Sequence, residues 1–395
     1  MPYKIAIIGA GPAGCMLGGL LHQSDISCTI FEGERSPNFR SQGGTLDLHT
    51  KTGQAALKKG GLYDEFTANA RFDGEAMNWC DKKLLSYVKF SGGKEGNRYG
   101  RPEIDRPVLR QILCDSLPKG FIKWGRRLRH VDENLNLYFD HGVETVSDVQ
   151  PHYSGISGLA LTISDAEKNA FEEYKLTNRG SISAFSDGKS MMGQYMGEGC
   201  ITVSAWGHKP ENWVKEAQLD TTDLDACKEF LNKEYHDWDP RLQKLILKAD
   251  GEVIPRNLYM LPIGHEWKNR PGLTLIGDSA HLMTPFAGEG VNLALEDSMK
   301  LADAIVRASK RSPEASSGVL TAEVKAFEEE MFERAAKKQA ITWGNLEAMY
   351  LTPGAPRAVI EKFIVNAVSD EFGPLLTALT AIVVYMYFSF FKLIY

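Results

Sequence analysis

The stretch Tyr3-Lys-Ile-Ala-Ile-Ile-Gly9-Ala-Gly-Pro-Ala-Gly14 decides the fold class of this chain. Residues 3–8 are rich in β-branched side chains, as in a buried parallel strand, and a helix is predicted over residues 15–23. A second apolar run, residues 27–31, ends on Glu32. Strand, glycine-rich turn, helix and strand follow one another as in the βαβ unit that opens a doubly wound α/β sheet.

The turn has the spacing of a dinucleotide-binding fingerprint. Gly9 permits the tight turn, Gly11 lets a pyrophosphate approach the backbone, and Gly14 lets helix and strand pack closely. Glu32 lies 18 residues after Gly14, where its carboxylate can accept hydrogen bonds from a ribose. Since a helix N-terminus also favours phosphate, cofactor contacts are predicted for Gly9, Gly11, Pro12, Ala13, Gly14 and Glu32. The fingerprint alone does not distinguish NAD from FAD.

A second string, Gly277-Asp-Ser-Ala-His-Leu-Met-Thr-Pro285-Phe-Ala-Gly-Glu-Gly-Val-Asn292, favours FAD. A buried strand is predicted before it, over residues 273–276, and a helix is predicted to begin near its end. Its aspartate can accept a hydrogen bond from a ribityl hydroxyl, and the N-terminus of the following helix stabilises negative charge on a reduced flavin. The contacts predicted from this chemistry are Asp278, Pro285, Gly288 and Gly290.

Composition limits the classes of function. The 395 residues are 24% charged and 43% hydrophobic, with a formal net charge of −6, which is typical of a globular protein without a nucleic-acid partner. Six scattered cysteines lack the spacing of a metal site, so no metal is expected. The first strand lies too close to the N-terminus for a signal peptide, so a cytosolic catalytic domain is expected.

The carboxyl-terminal end carries no charged residue from Leu375 to Phe391. This length is at the lower limit for a membrane-spanning helix, and two tyrosines with Lys392 suit an interfacial anchor. The sequence therefore predicts a tail anchored in an intracellular membrane. The alternative is a C-terminal helix buried against the rest of the protein.

The predicted architecture is an α/β FAD-binding doubly wound (Rossmann-like) domain interrupted by a β-rich substrate domain, with C-terminal helices and an apolar tail. The FAD-binding domain is assigned to residues 1–73, 101–150 and 262–340, and the substrate domain to residues 74–100 and 151–261. Residues 341–373 form a helical segment, and residues 374–395 form the transmembrane tail.

Four segments resemble the group A FAD monooxygenases of the aromatic-hydroxylase superfamily, in particular tetracycline-inactivating monooxygenases and fungal secondary-metabolite hydroxylases. The segments are the two strings above, Arg40-Ser-Gln-Gly-Gly-Thr-Leu-Asp47-Leu-His49, and Pro102-Glu-Ile-Asp-Arg106-Pro-Val-Leu-Arg110. The resemblance implies an NADPH- or NADH-dependent enzyme that hydroxylates an aromatic, phenolic or enolic molecule with O₂ through a flavin hydroperoxide. It also implies cofactor contacts from Arg40, Gly44, Asp47, Arg106, Val291 and Asn292. It places Phe286 on the ring side, where it would contact substrate, and it assigns no catalytic acid or base.

Several residues of these segments have two interpretations. Arg106 and Arg110 share a helix face, so one can face a phosphate or flavin while the other makes a surface ion pair. His49 and His281 are interpreted as structural donors rather than catalytic bases. The methionine-rich patch from residue 191 to residue 196 either lines a soft apolar pocket, with Met192 contacting substrate, or belongs to the core.

One motif of the resembled family is missing. A strand, an Asp-Gly turn, a serine and an arginine are expected after Leu137 to Thr145, and about 20 residues are absent there. A lost strand exposes backbone groups and opens the cofactor site, which predicts weaker FAD binding than in relatives. Either a neighbouring segment substitutes for the strand, or the chain is a shortened form.

The missing motif favours a second hypothesis, in which the chain is a catalytically impaired flavin-fold protein held at a membrane. A third hypothesis, an NAD(P)-linked dehydrogenase, explains the first string and leaves the second without a role.

Overall fold

A computed structural model describes residues 4–36, 44–91, 100–139, 149–311, 317–369 and 374–394. Arg40 lies outside the described residues, and so do residues 140–148, which form most of the segment in which the missing motif was expected.

The chain alternates between helices and strands in its first third, is rich in strands in the middle, and is helical at the end. The strands are β1 Ile5–Ile8, β2 Cys28–Phe31, β3 Thr45–Asp47, β4 Met77–Cys80, β5 Ser86–Phe90, β6 Glu103–Asp105, β7 Ile122–Lys123, β8 Leu128–Val131, β9 Leu137–Phe139, β10 His152–Ile163, β11 Ser181–Ser186, β12 Lys189–Tyr195, β13 Ile201–His208 and β14 Ile254–Met260.

The helices are α1 Pro12–Gln23, α2 Gly53–Lys59, α3 Tyr63–Asn69, α4 Arg106–Asp115, α5 Ala166–Asn169, α6 Phe171–Thr177, α7 Trp213–Glu216, α8 Leu224–Glu234, α9 Pro240–Leu247, α10 Asp278–His281, α11 Gly290–Arg311, α12 Ser317–Leu346, α13 Ile360–Ser369 and α14 Pro374–Ile394. A 3-10 turn spans Asp73–Glu75 and a π-helical stretch spans Glu347–Leu351.

A small parallel sheet carries the first string. Its strand order is β1-β2-β7, with Ile7 opposite Ile30 and Ile8 opposite Phe31. Helix α1 packs Met16, Leu17 and the residues around them against this sheet and against α11, and these elements form one apolar core. The predicted βαβ unit is therefore present.

The prediction of a buried strand over residues 273–276 is wrong. Leu273 makes a single bridge with Arg270, and residues 274–276 belong to no strand. A parallel strand requires a neighbour that takes its backbone hydrogen bonds. Among the described residues no strand pairs with the outer edge of β1, where Ile8 is 45% exposed.

A seven-stranded sheet with order β14-β10-β13-β12-β11-β4-β5 forms the β-rich region. Its two faces differ, because side chains of a strand alternate between them. One face is fully buried under α8, α9 and neighbouring segments and includes Leu159, Met191 and Val203. The other face is partly covered by the π-helical stretch and α13, and the rest of it points towards the second string.

The final helix, α14, is exposed. Residues Leu376–Ile394 have a mean hydropathy of 1.7, and 6% of this span is buried. Within the described residues, α14 is long and apolar enough to cross a membrane, by length and composition only. The alternative of a buried C-terminal helix packed on the protein holds for one stripe only, since Phe388 is buried against α13 and β5 while most other side chains of α14 are accessible.

Candidate active site

The first string forms the tight turn that its glycines predict. Gly9 has a φ of +100°, and a Cβ on Gly14 would lie 2.0 Å from the Gly9 carbonyl oxygen. A Cβ on Gly11, by contrast, would meet nothing within 4 Å. Gly11 thus leaves open space at the N-terminus of α1, where a phosphate is favoured. The turn fits a dinucleotide pyrophosphate.

Glu32 lies beside this turn, as its spacing predicts. Its carboxylate accepts hydrogen bonds from the Ala10 amide at 2.6 Å and from the Glu34 amide at 2.8 Å. It lines a cleft of about 350 Å³ together with Gly9, Phe31 and Arg127. The carboxylate therefore fixes the turn and also borders the space in which a ribose would lie.

Helix α11 joins the two strings. Ser298 donates its hydroxyl hydrogen bond to the Ala13 carbonyl at 2.8 Å, or to the Ala294 carbonyl of its own helix at 2.7 Å. Its neighbour Asp297 is fully buried and accepts a hydrogen bond from the Gly277 amide at 3.1 Å. Two consecutive side chains thus hold the fingerprint turn and the Gly-Asp turn on one helix.

Asp297 is the centre of a buried charge cluster. His281 lies 2.6 Å from one carboxylate oxygen and Arg334 donates to the other at 2.8 Å. Burial alone would raise the pKa of Asp297, but these hydrogen bonds and that of the Gly277 amide outweigh burial and hold the pKa below its ordinary value. His281 thus occupies the structural position that the sequence analysis favoured.

The two arginines of α4 have different environments. Partial desolvation of the guanidinium lowers the pKa of Arg106, and the nearby Asp278 carboxylate opposes that shift. Arg106 remains a cation, and both it and Asp278 are accessible to a ligand. Arg110 is buried, pairs with Glu34 at 2.7 Å and donates to the Ala10 carbonyl at 3.3 Å. Its ion pair is therefore internal, where a surface pair was expected.

Asn292 joins β3 to the second string. Its amide nitrogen donates to the Asp47 and Gly288 carbonyls at 2.9 and 3.2 Å, and its oxygen accepts from the His49 amide at 2.8 Å. A Cβ on Gly288 would lie 2.9 Å from the Asp47 carboxylate. The predicted residues Asp47, Gly288 and Asn292 thus meet in one place, and Gly44 directly precedes β3. His49 lies 3.1 Å from the Asp47 carboxylate.

The open face of the large sheet lies next to the second string. Strand register places Ser183 opposite Met192 and Met192 opposite Ser204, with Trp79 and Ala160 continuing the row on either side. All five residues are half-buried. Hydrogen bonds within the described part of the chain involve neither serine hydroxyl.

Phe286 of the second string packs in the same cluster as Met192 and Trp79. Met191 and Met196 of the methionine-rich patch are buried, so the patch is divided between core and open face.

Glu103 connects this face to β3, and the sequence analysis did not single it out. It accepts hydrogen bonds from Thr45 at 3.1 Å, Arg71 at 3.0 Å and Gln194 at 3.4 Å. Burial raises the pKa of Glu103 to about 7 in spite of the Arg71 cation. Glu103 lies within the quoted segment of residues 102–110, but that segment does not indicate its role, since its partners lie on three other segments.

Residues 2–112 and 197–334 match the family described as FAD binding domain, which is more than half of the chain. The chain belongs to this family of FAD-binding proteins. The matched ranges include both strings, Arg106 and the row residue Ser204. The FAD-binding fold and the resemblance to FAD monooxygenases are therefore confirmed.

A relative called "Monooxygenase penA" from Penicillium thymicola is 28% identical, over 89% of this chain and 96% of its own length. The alignment runs over 426 positions and so exceeds the 395 residues of the chain, which means that the relative has stretches without a counterpart here.

Two solved structures show the same fold. The Klebsiella pneumoniae protein HpxO, complexed with FAD and uric acid, has a TM-score of 0.70 and 16% identity, over 97% of this chain and 96% of its own. The tetracycline destructase Tet(55) has a TM-score of 0.64 and 17% identity, over 93% and 96% of the two chains.

These comparisons favour the first functional hypothesis. A flavoprotein family that includes both strings leaves no support for an NAD(P)-linked dehydrogenase. Relatives named as monooxygenases align with most of the chain, and nothing in them supports a catalytically impaired protein held at a membrane.

Proposed function

We propose that this flavoprotein is an NAD(P)H-dependent monooxygenase that hydroxylates an aromatic, phenolic or enolic small molecule, as part of secondary metabolism. The observation that carries the proposal is the meeting of the two FAD strings beside the half-open row on the large sheet. The fungal relative named a monooxygenase supports the same reaction class. When bound, FAD supplies electron transfer from NAD(P)H and the activation of O₂.

Residues of this chain would hold the cofactor along one path. The α1 N-terminus with Gly11 would take the pyrophosphate, Glu32 the ribose and Asp278 the ribityl chain. The Arg106 cation would neutralise phosphate or reduced-ring charge, and the N-terminus of α11 would add a partial positive charge. Each group is accessible in the structure or borders a cleft, so the residues present fit FAD.

We propose that the substrate lies between the second string and the row formed by Trp79, Ser183, Met192, Ser204 and Ala160. Met192 and Phe286 supply apolar contacts, while the two serine hydroxyls lie two strand spacings apart, about 10 Å. This separation suits a flat molecule of two or more rings with a polar group at each end. The row orients the substrate and excludes water from the ring side, which protein groups must do when the cofactor carries the chemistry.

The test is NADPH and NADH oxidation by the FAD-loaded protein, with O₂ uptake and product analysis over a panel of multi-ring phenols and enols. Hydroxylated product carrying one atom from ¹⁸O₂ is expected. O₂ uptake recovered entirely as hydrogen peroxide, with every compound of the panel unchanged, would contradict the proposal.

Met192→Ala tests the position of the substrate. It removes an apolar contact of about 1–3 kcal/mol, so kcat/KM should fall roughly 5- to 150-fold, mainly through KM. Phe171→Ala, which removes an exposed side chain on α6, is the matched control and should leave kcat/KM unchanged.

We also propose that the catalytic part lies in the cytosol and that the apolar C-terminal helix associates the protein with an intracellular membrane. Its composition supports this location, and flat apolar substrates partition into bilayers.

A further inference from the structure

Helix α14 lies along the surface of the protein instead of extending away from it. One stripe of the helix, represented by Val384, Phe388 and Phe391, packs on α13 and on β5. Phe388 is 3% exposed, and the Phe391 ring lies 5.5 Å from the ring of Tyr87. The inward residues recur at intervals of four and three, which is the period of one helix face.

The C-terminal end of α14 is bound to the domain by polar contacts as well. Lys392 pairs with Glu361 of α13 through both carboxylate oxygens, at 2.7 and 2.8 Å. Arg357 donates a hydrogen bond to the Lys392 carbonyl. Glu361 is buried, so the loss of Lys392 would leave an uncompensated carboxylate in an apolar setting.

These contacts are incompatible with a membrane-spanning orientation. Helix α14 has 21 residues and is about 30 Å long, which equals the thickness of a bilayer hydrocarbon core. If α14 crossed the membrane, Lys392 would lie on the opposite side of the bilayer from Glu361. The structure places the two charges in contact.

The outer side of α14 is apolar over a broad arc. Viewed down the helix axis, the large exposed side chains form one continuous arc. The arc begins at Tyr385, passes through Leu393, Leu379 and Val383, and ends at Tyr387. At 3.6 residues per turn they cover about 200°. A partner helix contacts a stripe of about 100°, so a single partner helix leaves much of this arc uncovered. A bilayer interface can cover all of it.

We infer that α14 is a membrane-surface helix, which lies in the plane of the bilayer with its outer arc in the acyl region while its inner stripe and Lys392 stay docked on α13 and β5. The occupant of the exposed surface is a phospholipid bilayer. The protein is thereby held flat on one side of the membrane, and its C-terminus stays on the cytosolic side. This inference does not rest on flavin chemistry.

A glycosylation reporter distinguishes docking from spanning. The full-length chain, extended at its C-terminus by a polar spacer with an Asn-Gly-Thr acceptor, is translated with endoplasmic-reticulum microsomes. Docking predicts that the protein floats with the microsomes and stays unglycosylated. Glycosylation would show a lumenal C-terminus, and recovery of the protein away from the microsomes would show that it binds no membrane. Either result overturns the inference.

The outer arc is tested with phosphatidylcholine–phosphatidylserine vesicles. Val383→Asp with Phe390→Asp, both at positions 66% exposed, should lower the fraction that floats with vesicles at least tenfold without changing thermal stability. Leu247→Asp, at a position 50% exposed on α9, is the matched control and should float like the wild type. Equal flotation of all three proteins, or a lipid-independent dimer that buries the arc and binds no vesicles, would overturn the inference.

Discussion

The buried carboxyl of Glu103 gives the protein a pH-dependent stability that one substitution should remove. The folded protein keeps this proton up to about pH 7, whereas an ordinary glutamate releases it near 4.5. The stability that Glu103 contributes is therefore fully present below about pH 4.5 and is lost as the pH rises through 7. This raised pKa of Glu103 already includes the opposing effect of the Arg71 cation, which lowers it.

The size of the effect follows from the interval between the two pKa values. Each pH unit in that interval changes the free energy of unfolding by about 1.4 kcal/mol, so the total is about 3 kcal/mol. Glu103→Gln keeps an acceptor for Thr45 and Arg71 and cannot ionise. Relative to the wild type, the variant should gain about 3 kcal/mol between pH 4.5 and 7.5.

Urea unfolding followed by tryptophan fluorescence, at half-unit pH steps and constant FAD, measures this difference. Glu216→Gln, which changes an exposed glutamate on α7, is the control and should follow the wild type at every pH. A Glu103→Gln curve parallel to the wild-type curve over this range would refute the reasoning, because the buried carboxyl would then titrate as an ordinary one.

Three further predictions concern the cofactor. Gly14→Ala places a Cβ 2.0 Å from a backbone oxygen and should abolish folding of the turn. The Cβ of Gly11→Ala meets nothing within 4 Å, so this variant should fold with wild-type Tm. Its affinity for FAD, measured by flavin fluorescence, should fall at least tenfold. Arg106→Ala removes a charge-assisted contact of about 1.5–3 kcal/mol, so the Kd for FAD should rise roughly 10- to 150-fold, with exposed Arg129→Ala unchanged. The purified wild-type protein should retain less than one FAD per chain through gel filtration, and stoichiometric yellow flavin in the eluted protein would contradict this.

The strings could be predicted from the sequence because their chemistry is local. The turn from Gly9 to Gly14 closes within six residues, and α11 begins at Gly290, near the end of the second string as predicted. What could not be predicted depends on segments far apart in the chain. Asp297 and Glu103 have partners on several elements, and no spacing rule connects them.

The row of residues on the large sheet could not be predicted from the sequence for a different reason. Ser183, Met192 and Ser204 are neighbours only through the register of three strands, and register is fixed by packing on the opposite face. The alternation of polar and apolar residues over β13 was visible in the sequence. It indicates two faces and does not tell which strands align.

Among the residues that the structure describes, the outer edge of β1 is unpaired, and this affects the enclosure of the cofactor more than the geometry of the fingerprint turn. The fingerprint turn is held from the inside, since Glu32 bonds the Ala10 amide and Ser298 lies 2.8 Å from the Ala13 carbonyl. A strand on the outer side of Ile8 would add no hydrogen bond to these groups. It would cover the cofactor and slow its departure. Compared with relatives that have such a strand, the protein should therefore release FAD faster. Its association rate should be nearly the same, because association depends on the preformed turn and its charge.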